Sequence, residues 1–250
     1  MEYDNRGNLI KTSLGDYVIS QYTFNSANKL EEVTNWKNVQ TSFVYDGLGR
    51  RVSETVQIGT MKSKEVLKLF KDIENKLKHD DFSSISKYFK DYDNECDGFG
   101  KGLNSYTKTF TMDIASPYNN LIGIESASKS SKFVFGYDVI SITDQVIKNK
   151  GSKNKGSKNR FGSKSSEQKN YYLQDELGSP IRLVDGKGKT TERYRYDEFG
   201  TPLSPKMALG LNKSSNPFGF TGYQYDTTTG LYFAQARYFD SGVGRFVSED

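Results

Sequence analysis

A short turn unit recurs along this chain and limits the folds that it can adopt. In each copy an aromatic residue precedes Asp or Asn, and Gly or Asn follows three residues later. The first three copies start their turns at Asp4, Asn25 and Asp46, with a spacing of 21 residues each time. The side chain of Asp or Asn opens a type I turn by accepting hydrogen bonds from its own backbone, and Gly or Asn tolerates the positive φ that ends it. Each copy therefore predicts the tip of a β-hairpin.

The residues between these tips alternate along the chain as strands do. Tyr17–Tyr22 and Thr41–Tyr45 show the two-residue period of half-buried strands. Because one isolated hairpin is only marginally stable in water, the hairpins are expected to stack into a continuous sheet. Aromatic residues make up 14% of the chain, which fits a strand-rich fold. The predicted fold class is all-β, built from repeated antiparallel β-hairpins.

The segment Asn216–Asp250 holds the densest set of turn signals. Pairs of aromatic residues alternate there with Asp and Gly, and a fourth copy of the turn unit precedes the segment at Tyr196–Gly200. We expect this segment to consist of short hairpins as well. Across the chain, the residues predicted to open or close turns are Asp4, Gly7, Asp46, Gly49, Asp197, Gly200, Asp226, Gly230, Asp240 and Gly244.

The hairpin pattern stops at Met61 and a helical pattern replaces it. Apolar residues then recur at helical spacing, at Val66, Leu69, Phe70, Ile73 and Leu77. We expect residues 61–92 to form a helical hairpin inserted between strands, with its apolar stripe packed as part of a core.

Strand patterns return after residue 104. The predicted strands are Thr107–Asp113, Leu121–Ser126, Lys132–Asp138, Val139–Thr143, Ile181–Val184 and Thr191–Tyr196. The expected organisation is repeat hairpins over 1–60, a helical insertion with a return loop over 61–104, and a second β region over 105–250.

One strongly basic stretch interrupts the second β region. Residues 148–169 contain eight Lys or Arg and one Glu, and they show no apolar period. We expect a solvated, disordered surface loop. Its single aromatic residue, Phe161, offers little for stacking on bases, so no nucleic-acid partner is predicted.

The residue types available for catalysis or metal binding are few. One Cys and one His exclude an intrachain disulfide and a Cys/His zinc cluster. Asp93, Glu95 and Asp97 have the spacing of the first ligands of a calcium loop, but the twelfth position is Asn104 rather than a bidentate Glu. We therefore expect an acidic turn without metal, and no cofactor. No apolar run has membrane-spanning length, and this chain shows no signal peptide.

The segment Asn216–Asp250 resembles the RHS repeat-associated core, and the turn units resemble the repeats of the RHS/YD-repeat family. The matching residues include Phe220-Thr221-Gly222, Thr229-Gly230-Leu231-Tyr232, Arg237-Tyr238 and Gly244-Arg245-Phe246. From these we take Arg237, Tyr238, Arg245 and Phe246 as the core motif. The resemblance covers most of 1–60 and 105–250, but neither the insertion nor the lysine-rich loop.

The resemblance implies a large hollow shell of spiralling β-hairpins that encloses a cargo. The implied partners are the remainder of the shell and a C-terminal toxin or effector of a longer parent protein. The immunity protein of that toxin is a further implied partner. The parent would be secreted or associated with the cell surface. Two alternatives stay open: a cell-surface module that binds carbohydrate or protein through exposed tyrosines, and the remnant of an aspartic autoprotease.

The resemblance also raises the question of self-cleavage, because many members of this family cleave themselves with two aspartates. This chain matches one of the two positions, at Asp250. Aspartic catalysis needs two carboxyl groups that share a proton. We therefore expect no catalytic residue and no enzymatic activity from this chain.

Overall fold

Two antiparallel sheets make up the structure, which is a computed structural model. It describes residues 1–14, 17–36, 38–59, 105–116, 120–147, 167–203 and 215–249. Within these ranges one sheet has 13 strands and the other has four. The predicted all-β fold class is confirmed for this part of the chain.

The large sheet is a meander in which each strand pairs with its neighbours in the chain. Its strands are β1 (Glu2–Tyr3), β2 (Leu9–Leu14), β3 (Tyr17–Phe24), β4 (Leu30–Asn35), β5 (Val39–Tyr45), β6 (Arg51–Ile58), β7 (Ser105–Asp113), β8 (Asn120–Ser126), β9 (Lys129–Phe135), β10 (Val139–Val146), β11 (Glu167–Gln174), β12 (Pro180–Asp185) and β13 (Thr190–Arg193). This order follows from the repeated hairpin, because a tight turn joins only adjacent antiparallel strands.

The sheet continues across two long stretches of chain. Strand β6 pairs directly with β7, and Gln57 lies opposite Ser105 although residues 59–104 separate the two strands. The predicted helical hairpin at 61–92 lies outside the described residues. Strand β10 likewise pairs with β11 across residues 147–166.

The end of the predicted basic loop is corrected by the structure. Residues 167–169 belong to β11, where Lys169 lies opposite Thr143 of β10. Its ammonium group lies 5.3 Å from the centre of the Tyr171 ring. The conformation of residues 167–169 is set by their pairing with β10 and not by the local composition.

Two predicted strand boundaries were also wrong. Residues 136–138 form a turn rather than strand, in which the Gly136 N–H donates to the Asp138 carbonyl at 2.9 Å. Strand β13 ends at Arg193, because the chain beyond it folds back in a narrow hairpin bridged between Tyr196 and Pro202.

The small sheet lies in the C-terminal segment, defined here as residues 215–249. Its strands are β14 (Gln224–Tyr225), β15 (Tyr232–Ala234), β16 (Arg237–Asp240) and β17 (Arg245–Phe246). A 3-10 turn at Phe220–Gly222 precedes β14. The strands are short because Asp and Gly interrupt the sequence every few residues.

One face of the large sheet carries the core, and we call it the inner face. Side chains alternate along β5, so that Thr41 and Phe43 are buried while Val44 is exposed. Two clusters of buried apolar side chains lie between this face and the C-terminal segment. The first contains Leu121, Phe133, Ile142, Tyr172, Phe218, Tyr225 and Tyr232. The second contains Leu9, Val33, Phe43, Leu231, Phe233, Tyr238 and Val247.

Both clusters combine side chains of the two sheets. The C-terminal segment is therefore part of the core, and removing it would expose the inner face to water. In the described ranges, no helix has the length and apolar character needed to cross a membrane.

Candidate functional site

Three of the predicted turns, at Asp4–Gly7, Asp46–Gly49 and Asp197–Gly200, lie at the same end of the strands of the large sheet. In the turn after β5, Asp46 Oδ1 accepts hydrogen bonds from the N–H groups of Leu48 and Arg50, at 2.9 and 3.0 Å. Gly49 has a φ of 77° and donates to the Asp46 carbonyl at 2.9 Å. These bonds satisfy N–H groups that the chain reversal would leave unpaired.

Two further turns repeat this geometry. Asp4 accepts from the backbone two and four residues later, at 2.8 and 2.9 Å, and Gly7 has a φ of 77°. Asp197 accepts at 3.0 and 2.7 Å in the same pattern, and Gly200 has a φ of 88°. The end of the strands at which these turns lie is called the turn edge below.

The predicted turns of the C-terminal segment are one residue longer. Gly230 donates to the carbonyl of Asp226, and Gly244 to the carbonyl of Asp240, each at 2.8 Å. Both glycines have positive φ, at 76° and 69°.

The C-terminal segment is attached to the first half of the turn edge by two hydrogen bonds. The N–H of Leu9 donates to the carbonyl of Val247 at 2.7 Å. The ammonium group of Lys29 donates to the carbonyl of Ala236 at 3.0 Å.

Further hydrogen bonds attach the segment to the far half of the same edge. The N–H of Thr221 donates to the hydroxyl of Ser179 at 3.0 Å. The hydroxyl of Tyr232, whose side chain is fully buried, donates to the carbonyl of Gly200 at 2.7 Å. The segment therefore contacts the large sheet from β2 to the turn beyond β13.

The four residues of the predicted core motif take different positions. Tyr238 is buried, with 2% of its surface exposed. The guanidinium of Arg237 lies 4.0 Å from the centre of the Phe246 ring, a cation–π contact across the small sheet. Arg245 is exposed and lies opposite Asp240.

A group of four charges, which we call the charge cluster, lies at this interface; three of them are buried, and 30% of the side chain of the fourth, Lys108, is exposed. It consists of Arg51 and Glu54 of β6, Lys108 of β7, and Asp226, which follows β14. The side chains of Arg51 and Glu54 are each 3% exposed, and Asp226 is 6% exposed. The Lys108 ammonium lies 2.8 Å from Glu54 Oε1, and Arg51 Nη1 lies 4.0 Å from Glu54 Oε2. Two cations and two carboxylates make the cluster formally neutral.

A β-bulge brings two of these charges to the inner face. The register of β6 shifts by one residue between Ser53 and Arg51, so Val52 has no opposite residue on β5. The extra residue allows Arg51 and Glu54 to share one face although they are three positions apart.

Aromatic rings from both sheets enclose the guanidinium of Arg51. Its central carbon lies 4.6 Å from the centre of the Phe110 ring and 4.5 Å from that of Phe233. It donates to Gln224 Oε1 at 2.7 Å and to the Tyr238 hydroxyl at 3.3 Å. Phe110 belongs to the large sheet and the other three residues to the C-terminal segment. Because a guanidinium can stack on rings and donate in its plane, Arg51 connects the two sheets.

The charges in the cluster shift one another's pKa values. Burial raises the pKa of Glu54 and the charge of Asp226 raises it further, while Lys108 and Arg51 oppose the shift; the net change is upward. Burial lowers the pKa of Lys108, but Glu54, Tyr106 and Asp226 outweigh burial and raise it above its usual value. The two carboxylates therefore repel each other, and Lys108 and Arg51 act against that repulsion at Glu54.

Asp226 also anchors its turn to the large sheet. Its Oδ1 atom accepts from the N–H and the hydroxyl of Thr228, at 2.8 and 2.6 Å. The Thr228 hydroxyl lies 3.1 Å from that of Thr41, and Asn35 donates to the Thr228 carbonyl at 2.9 Å. The Oδ2 atom of Asp226 is buried with no hydrogen-bond partner among the described residues. Oδ1 of Asp226 is thus satisfied by direct hydrogen bonds, whereas Oδ2 is not.

The sequence assigned Asp226 to a turn, and the other members of the cluster were missed. A signal for one of them was present in the strand pattern. Lys108 has the same parity as Phe110 and Met112, which places it on the apolar side of its strand. For Arg51 and Glu54 the pattern gave no such signal, because the bulge between them breaks the parity.

A small cavity adjoins the cluster beside Gln224 and Phe233. Its volume is about 90 Å³, and its lining mixes apolar Met112 and Leu121 with polar Asn120. Pockets that bind small organic ligands usually measure about 300–1,000 Å³. The cavity is therefore too small for a substrate site.

The residues considered for chemistry do not form a site in the described part of the chain. Asp93, Glu95 and Asp97, and the family aspartate Asp250, lie outside it. Among the described residues, no group of three or more His, Cys, Asp or Glu side chains is arranged to hold a metal ion.

Comparison with known proteins identifies the architecture. The family model described as Teneurin YD-shell matches residues 156–250. A crystal structure of TcdB2-TccC3 aligns with 99% of this chain at a TM-score of 0.58 and 15% identity. The chain belongs to the RHS/YD-repeat family. The RHS/YD chain covers 10% of that TcdB2-TccC3 chain, and at this identity the likeness concerns the fold alone.

The curated relatives of this RHS/YD chain are far longer. The tRNA3(Ser)-specific nuclease WapA of Bacillus spizizenii is 30% identical over 248 residues, which cover 91% of this chain and 10% of the relative. The double-stranded DNA deaminase toxin A of Burkholderia cenocepacia is 22% identical over 256 residues, covering all of this chain and 15% of the relative. The chain thus spans a small part of the relatives that it matches.

Proposed function

We propose that this chain is a structural part of an RHS/YD-repeat shell whose parent encloses or delivers a C-terminal toxin or effector. The observation that supports this most is the packing of the C-terminal segment, which completes two apolar clusters on the inner face of the large sheet. We expect this arrangement for part of a shell wall, in which a sheet of repeated hairpins is stabilised by a segment that packs on its inner face.

The class of cargo is suggested by the relatives. One is named a tRNA-specific nuclease and another a DNA deaminase toxin, and this chain covers 10% and 15% of them. On this proposal the toxic chemistry belongs to a separate domain of the parent, and an immunity protein would be a second partner. The parent would be exported from the cell that makes it.

We further propose that the chain itself is not a catalyst. An aspartic site needs two carboxyl groups that share a proton. In the charge cluster, Glu54 is bonded to Lys108 at 2.8 Å, and Asp226 is bonded to Thr228 at 2.8 Å. Both carboxylates thus have structural partners, and the adjoining cavity is too small for a peptide substrate.

The surface-binding alternative depended on exposed tyrosines. The structure buries many of them, namely Tyr22, Tyr172, Tyr194, Tyr225, Tyr232 and Tyr238. These rings form core and cannot stack on a glycan, so we do not extend the proposal to carbohydrate binding.

The test is a protease-protection experiment on the parent protein expressed from its complete reading frame. We expect the domain downstream of the shell to resist protease in the parent and to be cut in a Tyr232→Ala variant, because Tyr232 is fully buried between the two sheets. Tyr137→Ala is the matched control, since Tyr137 is fully exposed. Equal cleavage in all three proteins, or the absence of any downstream domain, would refute the proposal.

A further inference from the structure

Three members of the charge cluster belong to the large sheet. Arg51, Glu54 and Lys108 project from the inner face among aromatic side chains, and their formal charges sum to +1. Asp226 of the C-terminal segment brings the sum to zero. Docking of the segment therefore changes both the hydration and the net charge of this part of the sheet.

Covering these residues is costly unless their charges are balanced, above all for Arg51 and Glu54, because Lys108 keeps 30% of its side chain exposed. Arg51 and Glu54 are 3% exposed when the segment is in place. Removing ions from water has a large free-energy cost. Attraction between opposite charges offsets this cost only when each buried charge has a partner of opposite sign and its hydrogen bonds are made. A purely apolar segment at the same place would cover this net positive group without supplying a carboxylate to balance it.

We propose that Arg51, Glu54 and Lys108 determine which polypeptide segment can pack on the inner face of the large sheet, and we call this group the filter. The filter admits a strand that supplies a carboxylate and, two residues earlier, an amide, and it rejects apolar segments that lack the carboxylate. Its purpose rests on the proposed function, because a shell that holds another polypeptide must keep its apolar inner face from binding the cargo. The filter itself depends only on the contacts described above.

The geometry of β14 fits this selection. Gln224 and Asp226 are two residues apart, so both face the large sheet, and Gln224 accepts from Arg51 at 2.7 Å. A slip of one residue would bring Tyr225 to the charges and leave them without a carboxylate. The bond between Thr228 and Thr41, at 3.1 Å, holds the correct register. The filter thus selects both the segment and its alignment.

A simpler view treats the cluster as a set of independent stabilising contacts. The two views differ over Asp226 and Lys108, because Asp226 makes no hydrogen bond or ion pair with Lys108 in the described contacts; it acts on Lys108 through the field. If contacts alone matter, losing both side chains is worse than losing either. If charge balance matters, the second loss compensates the first.

The experiment measures hydrogen–deuterium exchange of the amides in residues 215–249 of this chain. Asp226→Asn leaves a net charge of +1 and Lys108→Met a net charge of −1. We expect each to accelerate exchange by about a hundredfold or more, as for an unpaired buried charge. The double variant is neutral, although Glu54 still lacks its 2.8 Å bond to Lys108, and it should exchange at least about tenfold more slowly than the faster single variant. Asp240→Asn is the matched control, because among the described residues the Asp240 carboxylate is hydrogen-bonded within its own turn, and it should stay within about threefold of the parent.

A second pair of variants tests whether the filter excludes an apolar side chain at position 226. Asp226→Leu should loosen the segment in the parent background, because it presents an apolar side chain to a positive sheet. In the Lys108→Met background the same substitution should be tolerated, since Arg51 and Glu54 then balance each other.

Double variants that exchange as fast as the faster single variant would overturn the filter. If Asp226→Asn does not accumulate as folded protein, the readout becomes whether adding Lys108→Met restores folded protein, and failure to restore it also overturns the proposal. These measurements use the isolated chain, whereas the protease test uses the parent, so the two proposals can fail separately.

Discussion

At the scale of single residues, glycine does two jobs in the turns of the large sheet. Gly188 and Gly200 both close an Asp-x-x-Gly turn, with φ of 79° and 88°. A Cβ atom added at Gly188 would meet nothing within 4 Å, whereas one added at Gly200 would lie 2.5 Å from the Phe220 ring and 2.8 Å from its Cβ. The first glycine is needed for its backbone conformation alone, and the second also for the close approach of the C-terminal segment.

Alanine substitution separates these two requirements. Gly188→Ala should lower the free energy of unfolding by about 1–2 kcal/mol, the cost of a left-handed conformation for an L residue. Gly200→Ala should cost about 1–3 kcal/mol more, because the methyl group displaces Phe220. Equilibrium unfolding in urea measures both values. Equal losses in the two variants would contradict the close approach.

At the scale of elements, the pairing of β6 with β7 is independent of the length of chain between them. The two strands pair over five consecutive residue pairs, from Ser53–Thr109 to Gln57–Ser105, as closely as strands joined by short turns. The register is therefore set by the strands and not by the length of chain between them.

This independence predicts that the insertion can be shortened. Replacing residues 60–104 with a four-residue loop containing Asn-Gly should preserve both sheets and raise the free energy of unfolding by up to about 2 kcal/mol, since closing a shorter loop loses less entropy. Circular dichroism would report the retained β structure, and the urea midpoint would report the gain. Loss of the β signal would show that the sheet needs residues from the insertion.

The same scale shows which features the sequence could predict. Turns such as Asp46–Gly49 are local, because one side chain and one glycine close them, and their pattern can be read directly. The charge cluster is assembled from residues up to 175 positions apart, Arg51 and Asp226 being the most distant. Such a contact depends on how the C-terminal segment folds back, and no local pattern encodes that. The bulge at Val52 conceals it further, because it reverses the parity that would mark an inward charge.

At the scale of the whole molecule, partly buried tyrosines link stability to alkaline pH. Burial raises the pKa of Tyr45 from 10.0 to about 12, although Tyr238 and Arg51 oppose the shift. Burial likewise raises the pKa of Tyr106 to about 12. Because both values are raised in the folded state, their contribution to stability is complete below about pH 10 and is lost as the pH rises towards 12.

We therefore expect the melting temperature to fall between pH 10 and 12, together with the rise in tyrosinate absorbance. Tyr45→Phe should be less stable than the parent at pH 8, because it loses the 2.6 Å hydrogen bond to the Leu30 carbonyl. It should also lose less stability on going to pH 12, because it has one ionisable group fewer. A parallel pair of pH profiles would disprove the assignment to Tyr45.

The attachment of one segment to both halves of the turn edge also has a consequence for the order of events during folding. A meander can grow hairpin by hairpin as the chain emerges, since each strand needs only its predecessor. The C-terminal segment is different, because it bonds Leu9 near the start of the sheet and Gly200 near its end. Its complete set of contacts can form only after these strands have paired, and its docking therefore reports that the sheet from β2 to the turn beyond β13 is in place.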